Sequence, residues 1–331
     1  MDPNEILETA KEGSKAATKL MDVLEKIFGP SWTRKQADAD YYAAKQRLRL
    51  IRENPDMDII YTNGQFNAKF KNPEALQVRA ALRAQHESIR QQANIENIIS
   101  QAANELQGAN DGTVSDDPVD DDWVTRFFGI TKDISSAEMQ FIWSKILAGE
   151  IKKPGSFSLR TLEVIRNLSQ REATAFKKII PFVANNYFLL RELDYKEKYN
   201  IQPPDFLMLD ACGLITLTDT AVYSPKVVNE QSIYIENDFY IIIAQSPTAQ
   251  GVVLPSHICP LTTVGQEIYS ILDHPDNEDV IKDMAKSIFE KNPQKANISV
   301  HKLISKTENN GSHRYNFNED PIICYSVENH S

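Results

Sequence analysis

Residues 120–180, DDDWVTRFFGITKDISSAEMQFIWSKILAGEIKKPGSFSLRTLEVIRNLSQREATAFKKII, constrain the fold more than any other part of the chain. Ser135 with Glu138, and Ser169 with Glu172, have capping-box spacing: the hydroxyl accepts from a freed backbone N–H while the carboxylate reaches back. Between them Met139, Ile142, Trp143, Ile146 and Leu147 fall on one helical face, Gly149 ends the helix and Pro154-Gly155 turns the chain. Leu159, Leu162 and Ile165 continue the pattern, followed by Ala173, Phe176, Ile180 and Val183. Three short amphipathic helices with tight turns predict a small bundle whose faces cover one another. Every strong signal here concerns folding, and none concerns chemistry.

The flanking segments differ in character. Apolar residues of 4–28 (Leu20, Leu24, Ile27 and Phe28 among them) recur at helical spacing, and Gly29-Pro30 ends that helix. A second helix over 34–52 is basic and aromatic, with Arg47, Arg49 and Arg52. Asn63-Gly64 suggests a hairpin between 59–61 and 66–70. A long helix over 73–106 carries only a thin stripe (Leu82, Ile89, Ala93, Ile99, Ala103, Leu106), so it needs a partner from its own chain or from a second copy. The last third mixes periods: a helix over 206–212 running into a strand over 213–217, and a hairpin over 232–244 around Asn237-Asp238. Beyond them come a helix capped by Thr263 with Gln266, another through Val280–Phe289, and strands over 298–304 and 322–327. LMLDACGLITLT, the paired strands and LTTVGQE resemble a winged-helix arrangement, though 204–217 holds Asp205 and Asp210 and no basic residue.

The expected architecture is mainly α with a C-terminal α+β part. It has N-terminal long helices over 1–107, an acidic linker over 108–122, a central helical bundle over 123–200 and a winged-helix-like domain over 201–331. At 331 residues with 41% hydrophobic and 25% charged residues, the chain has the composition of a water-soluble globular protein. No apolar run approaches the roughly 18 residues of a membrane span. Asp2, Glu5, Glu8 and Glu12 oppose a secretory signal, and three scattered cysteines imply no disulfide framework, so a cytoplasmic location is expected.

The net charge is −10, yet residues 34–90 hold 11 Lys+Arg against 7 Asp+Glu. One basic face for nucleic acid, including Arg79, Arg83 and Arg90, therefore stays open against an acidic background. Peripheral membrane contact through residues 4–28 is also open, but the lysines and acids on that face balance and favour packing on protein. The aspartates at 116, 117, 120, 121 and 122 lack calcium-loop spacing and read as a solvated linker. Glu138 and Glu150 sit near opposite ends of one helix and cannot meet at a substrate atom. The six histidines are scattered without ligand spacing, and Lys152, Lys153 and Gly155 form an ordinary interhelical loop. No nucleotide-binding or serine-hydrolase motif is present, so neither catalytic residues, a cofactor nor a metal are expected.

The stretch MQFIWSKILAGEIKKPGSFSLRTLEVIRNLSQREATAF (139–176) resembles the bacterial "domain of unknown function 2806" family, and more distantly the Abi-alpha abortive-infection proteins. ATKLMDVLEKIFGPSWTRKQADA, RQQANIENIISQAANEL and LTTVGQEI are similar to further parts of that family. The family has no catalytic set to transfer. The resemblance, the thin-striped long helix and the absence of catalytic motifs together lead to the expectation of a non-enzymatic helical interaction or assembly protein, associating with itself or a protein partner in anti-phage defence. The alternative is a winged-helix-like nucleic-acid-binding regulator using the basic 34–90 stretch. Within the motif, Trp143, Gly149, Pro154, Gly155, Ser169 and Glu172 read as core, turn and cap residues.

Overall fold

A computed structural model describes residues 14–29, 57–62, 65–70, 76–107, 109–230, 232–309 and 312–327. The expected basic helix over 34–52, the turn Asn63-Gly64 and residues 4–13 lie outside these. The chain divides into two compact units, residues 1–162 and 163–331, and the boundary falls inside a helix.

The first unit is helical. Helix α1 (Lys15–Phe28) starts at Ser14, whose hydroxyl accepts the Ala17 N–H, and buries Ala16, Ala17, Leu20, Val23 and Leu24. Strands β1 (Met57–Thr62) and β2 (Gln65–Phe70) pair antiparallel with Thr62 opposite Gln65. Helix α2 (Leu76–Leu106) has 31 residues, about 46 Å at 1.5 Å per residue. Helices α3 (Asp121–Thr131) and α4 (Ala137–Lys152) follow, and α1, α2 and α3 pack together, with α4 against α1 and α2. Trp143, Ile146, Leu147 and Ile151 are fully buried, so α4 is the spine of this unit rather than a one-faced helix. Buried amides tie it in: Gln140 Nε2 donates to the Ile134 carbonyl (2.9 Å) and Asn94 Nδ2 to the Lys132 carbonyl (2.8 Å). The expected Ser135–Glu138 cap does not form. Ser136 occupies the N-cap without a side-chain bond, while Ser135 Oγ accepts from Asn94 (3.2 Å) and Arg90 (3.3 Å) on α2.

Helix α5 (Leu159–Asn167) carries the chain across the boundary into α6 (Gln170–Ile179), where the Ser169–Glu172 capping box is complete. In the second unit, β3 (Val183–Ala184), β4 (Phe188–Leu190), β10 (Ser256–Pro260) and β5 (Val222–Tyr223) form one antiparallel sheet in that order. A second sheet runs β12 (Ser312–Phe317), β11 (Asn297–Asn309), β8 (Tyr240–Gln245), β7 (Ser232–Glu236), with β13 (Ile323–Tyr325) also on β11. β6 (Lys226–Val227) pairs with β9 (Val252–Val253). Helices α7 (Pro203–Ala211), α8 (Thr263–Tyr269) and α9 (Glu278–Lys291) complete the unit, and α9 packs on β8, β11 and β13 through Val280, Ile281, Met284, Ala285 and Ile288. Among the described helices none is long and apolar enough to cross a membrane.

This arrangement overturns the expected fold class, because the described residues of 201–331 build antiparallel sheets with helices and no winged-helix-like domain. A wing needs a strand pair running from the helix end. Here α7 ends at Ala211, Gly213 (φ 78°) follows its cap residue Cys212, and the next residues fold back: the Leu214 N–H donates to the Leu209 carbonyl, the Leu217 N–H to Asp210 Oδ1 (2.8 Å). Only one bridge, Ile215 to Leu261, remains of the strand expected over 213–217. The hairpin over 232–245 joins β11 through Ile242 opposite Val300, extending a sheet instead of standing beside a helix. The cap expected at Thr263 is one residue earlier, at Thr262, whose Oγ1 accepts the Gly265 N–H (3.0 Å).

Candidate functional site

The family-like motif resolves into a folded loop. Glu150, buried on α4, accepts the Gly155 N–H at Oε1 (2.7 Å) and the Phe157 N–H at Oε2 (3.0 Å). A carboxylate so placed satisfies two donors that a tight turn would leave buried. Trp123 Nε1 donates to the Phe157 carbonyl (2.8 Å), and Gly155 takes a φ of 83°, which a glycine enters freely. Gly149 leaves space for the Phe157 ring: a Cβ there would sit 2.7 Å from Phe157 Cε2. Pro154 lies at the turn between them. Trp143 is fully buried edge-on to Phe127, ring centroids 5.5 Å apart, and its indole N–H has no acceptor among the described residues. Glu150 and Trp123 thus clamp the 153–157 loop through its backbone groups.

The aspartate run lies along α1. Lys15 pairs with Asp116 (2.5 Å) and Lys26 with Asp121 (2.5 Å), while Asp120 Oδ1 caps α3 by accepting the Trp123 N–H (2.8 Å). Lys19 Nζ donates to the Ser115 carbonyl (3.2 Å) and Lys26 Nζ to the Val119 carbonyl (3.0 Å). The hydrogen bond and charge of Lys15 hold Asp116 below its ordinary carboxylate value. Val114 and Val119 are buried, so the segment straps α1 down. Among the described residues no group of three or more His, Cys, Asp or Glu could hold a metal ion.

The other candidates disperse. Leu20 and Leu24 are buried, Ile27 and Phe28 half-buried with the Phe28 ring 6.2 Å from Phe128, so the apolar face of α1 packs on protein. Arg47, Arg49 and Arg52 lie outside the described residues. Arg79 and Arg83 are exposed on α2, and Arg90 approaches Asp133 (3.8 Å). Ser169 and Glu172 remain a cap: the Ser169 N–H donates to Glu172 Oε2 (2.7 Å), and hydrogen bonds from Ser169 hold the Glu172 carboxyl below its usual range.

Two features carry no motif. The first is the exposed N-terminal half of α2, where Leu82 and Ile89 are 46% and 64% exposed. The second is a cavity of about 430 Å³ in the second unit, lined from β4, residues 191–201, α7, Leu217 and Cys259. Leucines scattered over LLRELDY and PPDFLML gave no period that marks a hollow, so the sequence offered no signal for it.

Residues 78–188 match the family model described as "Protein of unknown function (DUF2806)", which supports the resemblance read from residues 139–176. The similar stretches before residue 78 and after 188 lie outside that match, and the Abi-alpha similarity gains no support. No curated protein and no solved structure matches the chain.

Proposed function

We propose that this chain is a non-enzymatic helical interaction protein that assembles, with a second copy or a protein partner, through the N-terminal half of α2. One observation carries the reading. Ile98, Ile99, Ala102, Ala103 and Leu106 are buried on the C-terminal half of that helix, whereas Leu82 and Ile89 stand 46% and 64% exposed on the other half. An isolated helix of a dozen residues is marginal in water, and two large apolar residues one heptad apart begin a seam. The family-like motif supports the non-enzymatic part, because Glu150 and Trp123 are engaged with backbone groups of the 153–157 loop.

Light scattering on the full-length protein tests it. Wild type is expected to exceed the monomer mass, alone or with a co-purifying partner, and the Leu82→Glu/Ile89→Glu double variant to run as a monomer. A wild type that stays monomeric at high concentration and retains no partner refutes the proposal. The defence role is a proposal from family likeness. Cells expressing the chain should plate phage less efficiently than cells expressing the double variant, and equal plating removes that role.

A further inference from the structure

We infer that the second unit binds an uncharged aliphatic chain in the cavity formed by β4, residues 191–201 and α7. At about 430 Å³ it falls within the roughly 300–1,000 Å³ of small-molecule sites. Its surface is branched aliphatic: Leu190, Leu193, Ile201, Leu207 and Leu217, with Phe206 beside them. Leu207 is 63% exposed and places an apolar rim at the opening.

Charge at the lining is already engaged, which decides the ligand class. Arg191 Nη1 donates to the Thr218 carbonyl (2.7 Å) and to Asp219 Oδ1 (2.8 Å). Lys196 pairs with Glu197 (2.8 Å), and Asp194 Oδ1 accepts the Glu197 N–H (3.0 Å). The buried Tyr195 hydroxyl donates to the Leu190 carbonyl (2.7 Å). A charged ligand entering here would lose hydration against a lining that is mostly aliphatic. Cys259 adds a thiol but no chemistry: burial pushes its pKa up to about 11, so it stays protonated and acts as a small apolar side chain. Binding is therefore non-covalent, and it does not depend on the assembly surface of residues 1–162.

The test is a fluorescence titration of the full chain with the neutral reporter N-phenyl-1-naphthylamine, displaced by decanol. Saturable 1:1 reporter binding and displacement by decanol are expected. Leu207→Glu should weaken both by about tenfold or more, since it places a charge on the apolar rim. Because Leu207 is mostly exposed, an unchanged far-UV spectrum should accompany that loss. Ile304→Glu, at an equally exposed apolar residue on β11, should leave binding intact. Absence of saturable binding, indifference to Leu207→Glu, or equal loss in Ile304→Glu overturns the inference. Co-sedimentation with phosphatidylcholine vesicles without displacement by decanol would also overturn it, assigning the surface to a bilayer instead of a single chain. An unchanged oligomeric mass in Leu207→Glu keeps this outcome separate from that of the α2 seam.

Discussion

A methyl group on Gly149 would press into the Phe157 ring at 2.7 Å, and the ring is held by the bonds that Glu150 and Trp123 make to its backbone. Gly149→Ala should cost about 1–3 kcal/mol by overpacking, and Phe157→Leu should recover part of that loss in a double-mutant cycle read by denaturant unfolding. Additive losses would show that the contact is not the cause. Glu150→Ala removes the acceptor of two N–H groups and should destabilise by about 3 kcal/mol, while Glu150→Gln, which keeps one oxygen, loses less. Equal losses in the two variants would mean that the carboxylate oxygens are not what holds the loop. These residues were visible in the sequence as a helix end and a Pro-Gly turn. The buried carboxylate was not, since nothing in AGEIKKPGSF distinguishes an acid facing the backbone from one facing water.

At the level of elements, the turn between β7 and β8 is pinned to the segment after α8. His274 Nδ1 meets the Asp238 carboxylate, His274 Nε2 meets the Tyr269 carbonyl (2.9 Å), and Tyr240 donates to Asp276 Oδ1 (2.5 Å). Both imidazole nitrogens face acceptors, an arrangement that favours the doubly protonated ring. Burial works to lower the His274 pKa, but the bonds to Asp238 and Tyr269 outweigh it and raise the value above the ordinary 6.5. The hydrogen bond with His274 draws Asp238 below its ordinary 3.8, with Lys306 adding to the pull and Asp273 favouring the imidazolium. The contribution of His274 is thus complete below 6.5 and is lost as pH rises through its raised folded value. That of Asp238 is present above 3.8 and is lost as pH falls through its lowered one. Asp238→Asn should lower the His274 titration seen by NMR, and its thermal deficit should be largest near pH 5–6. A His274 ring that titrates identically in both chains would disprove the pin.

The same scale shows where sequence patterns succeed. Ser169–Glu172 was readable because no competitor among the described residues bonds Ser169, whereas Ser135 is claimed by Asn94 and Arg90 from a helix more than forty residues earlier. Ser169→Ala should cost about 1 kcal/mol in thermal unfolding, and Glu172 should then titrate higher. Strands of two residues such as β3, β5, β6 and β9 carry no period to detect. The hairpin over 232–244 was legible from the β-branched and aromatic residues of its arms, but its neighbour β11 lies more than fifty residues away, and that distance hid the sheet.

For the molecule as a whole, the helical first unit was more legible than the second, because helices announce themselves locally while a sheet depends on distant pairing. LMLDACGLITLT reads as helix then strand, yet Gly213 and Asp210 bend it back and leave no wing. The thin stripe of α2 marked a helix in need of a partner but not its exposed half, and the leucine-lined hollow gave no signal at all. A thin stripe does not say which half of a helix is covered, and leucines that line a void are spelled like those that fill a core.

The uneven covering of α2 has a consequence for its tolerance of substitution. On one continuous helix Leu82 and Ile89 stand exposed, while Asn94, Ile98, Ile99, Ala102, Ala103 and Leu106 are buried in their own unit. Saturation mutagenesis scored by abundance should therefore tolerate polar substitution at Leu82 and Ile89 and penalise it at Ile98, Ile99, Ala102 and Leu106.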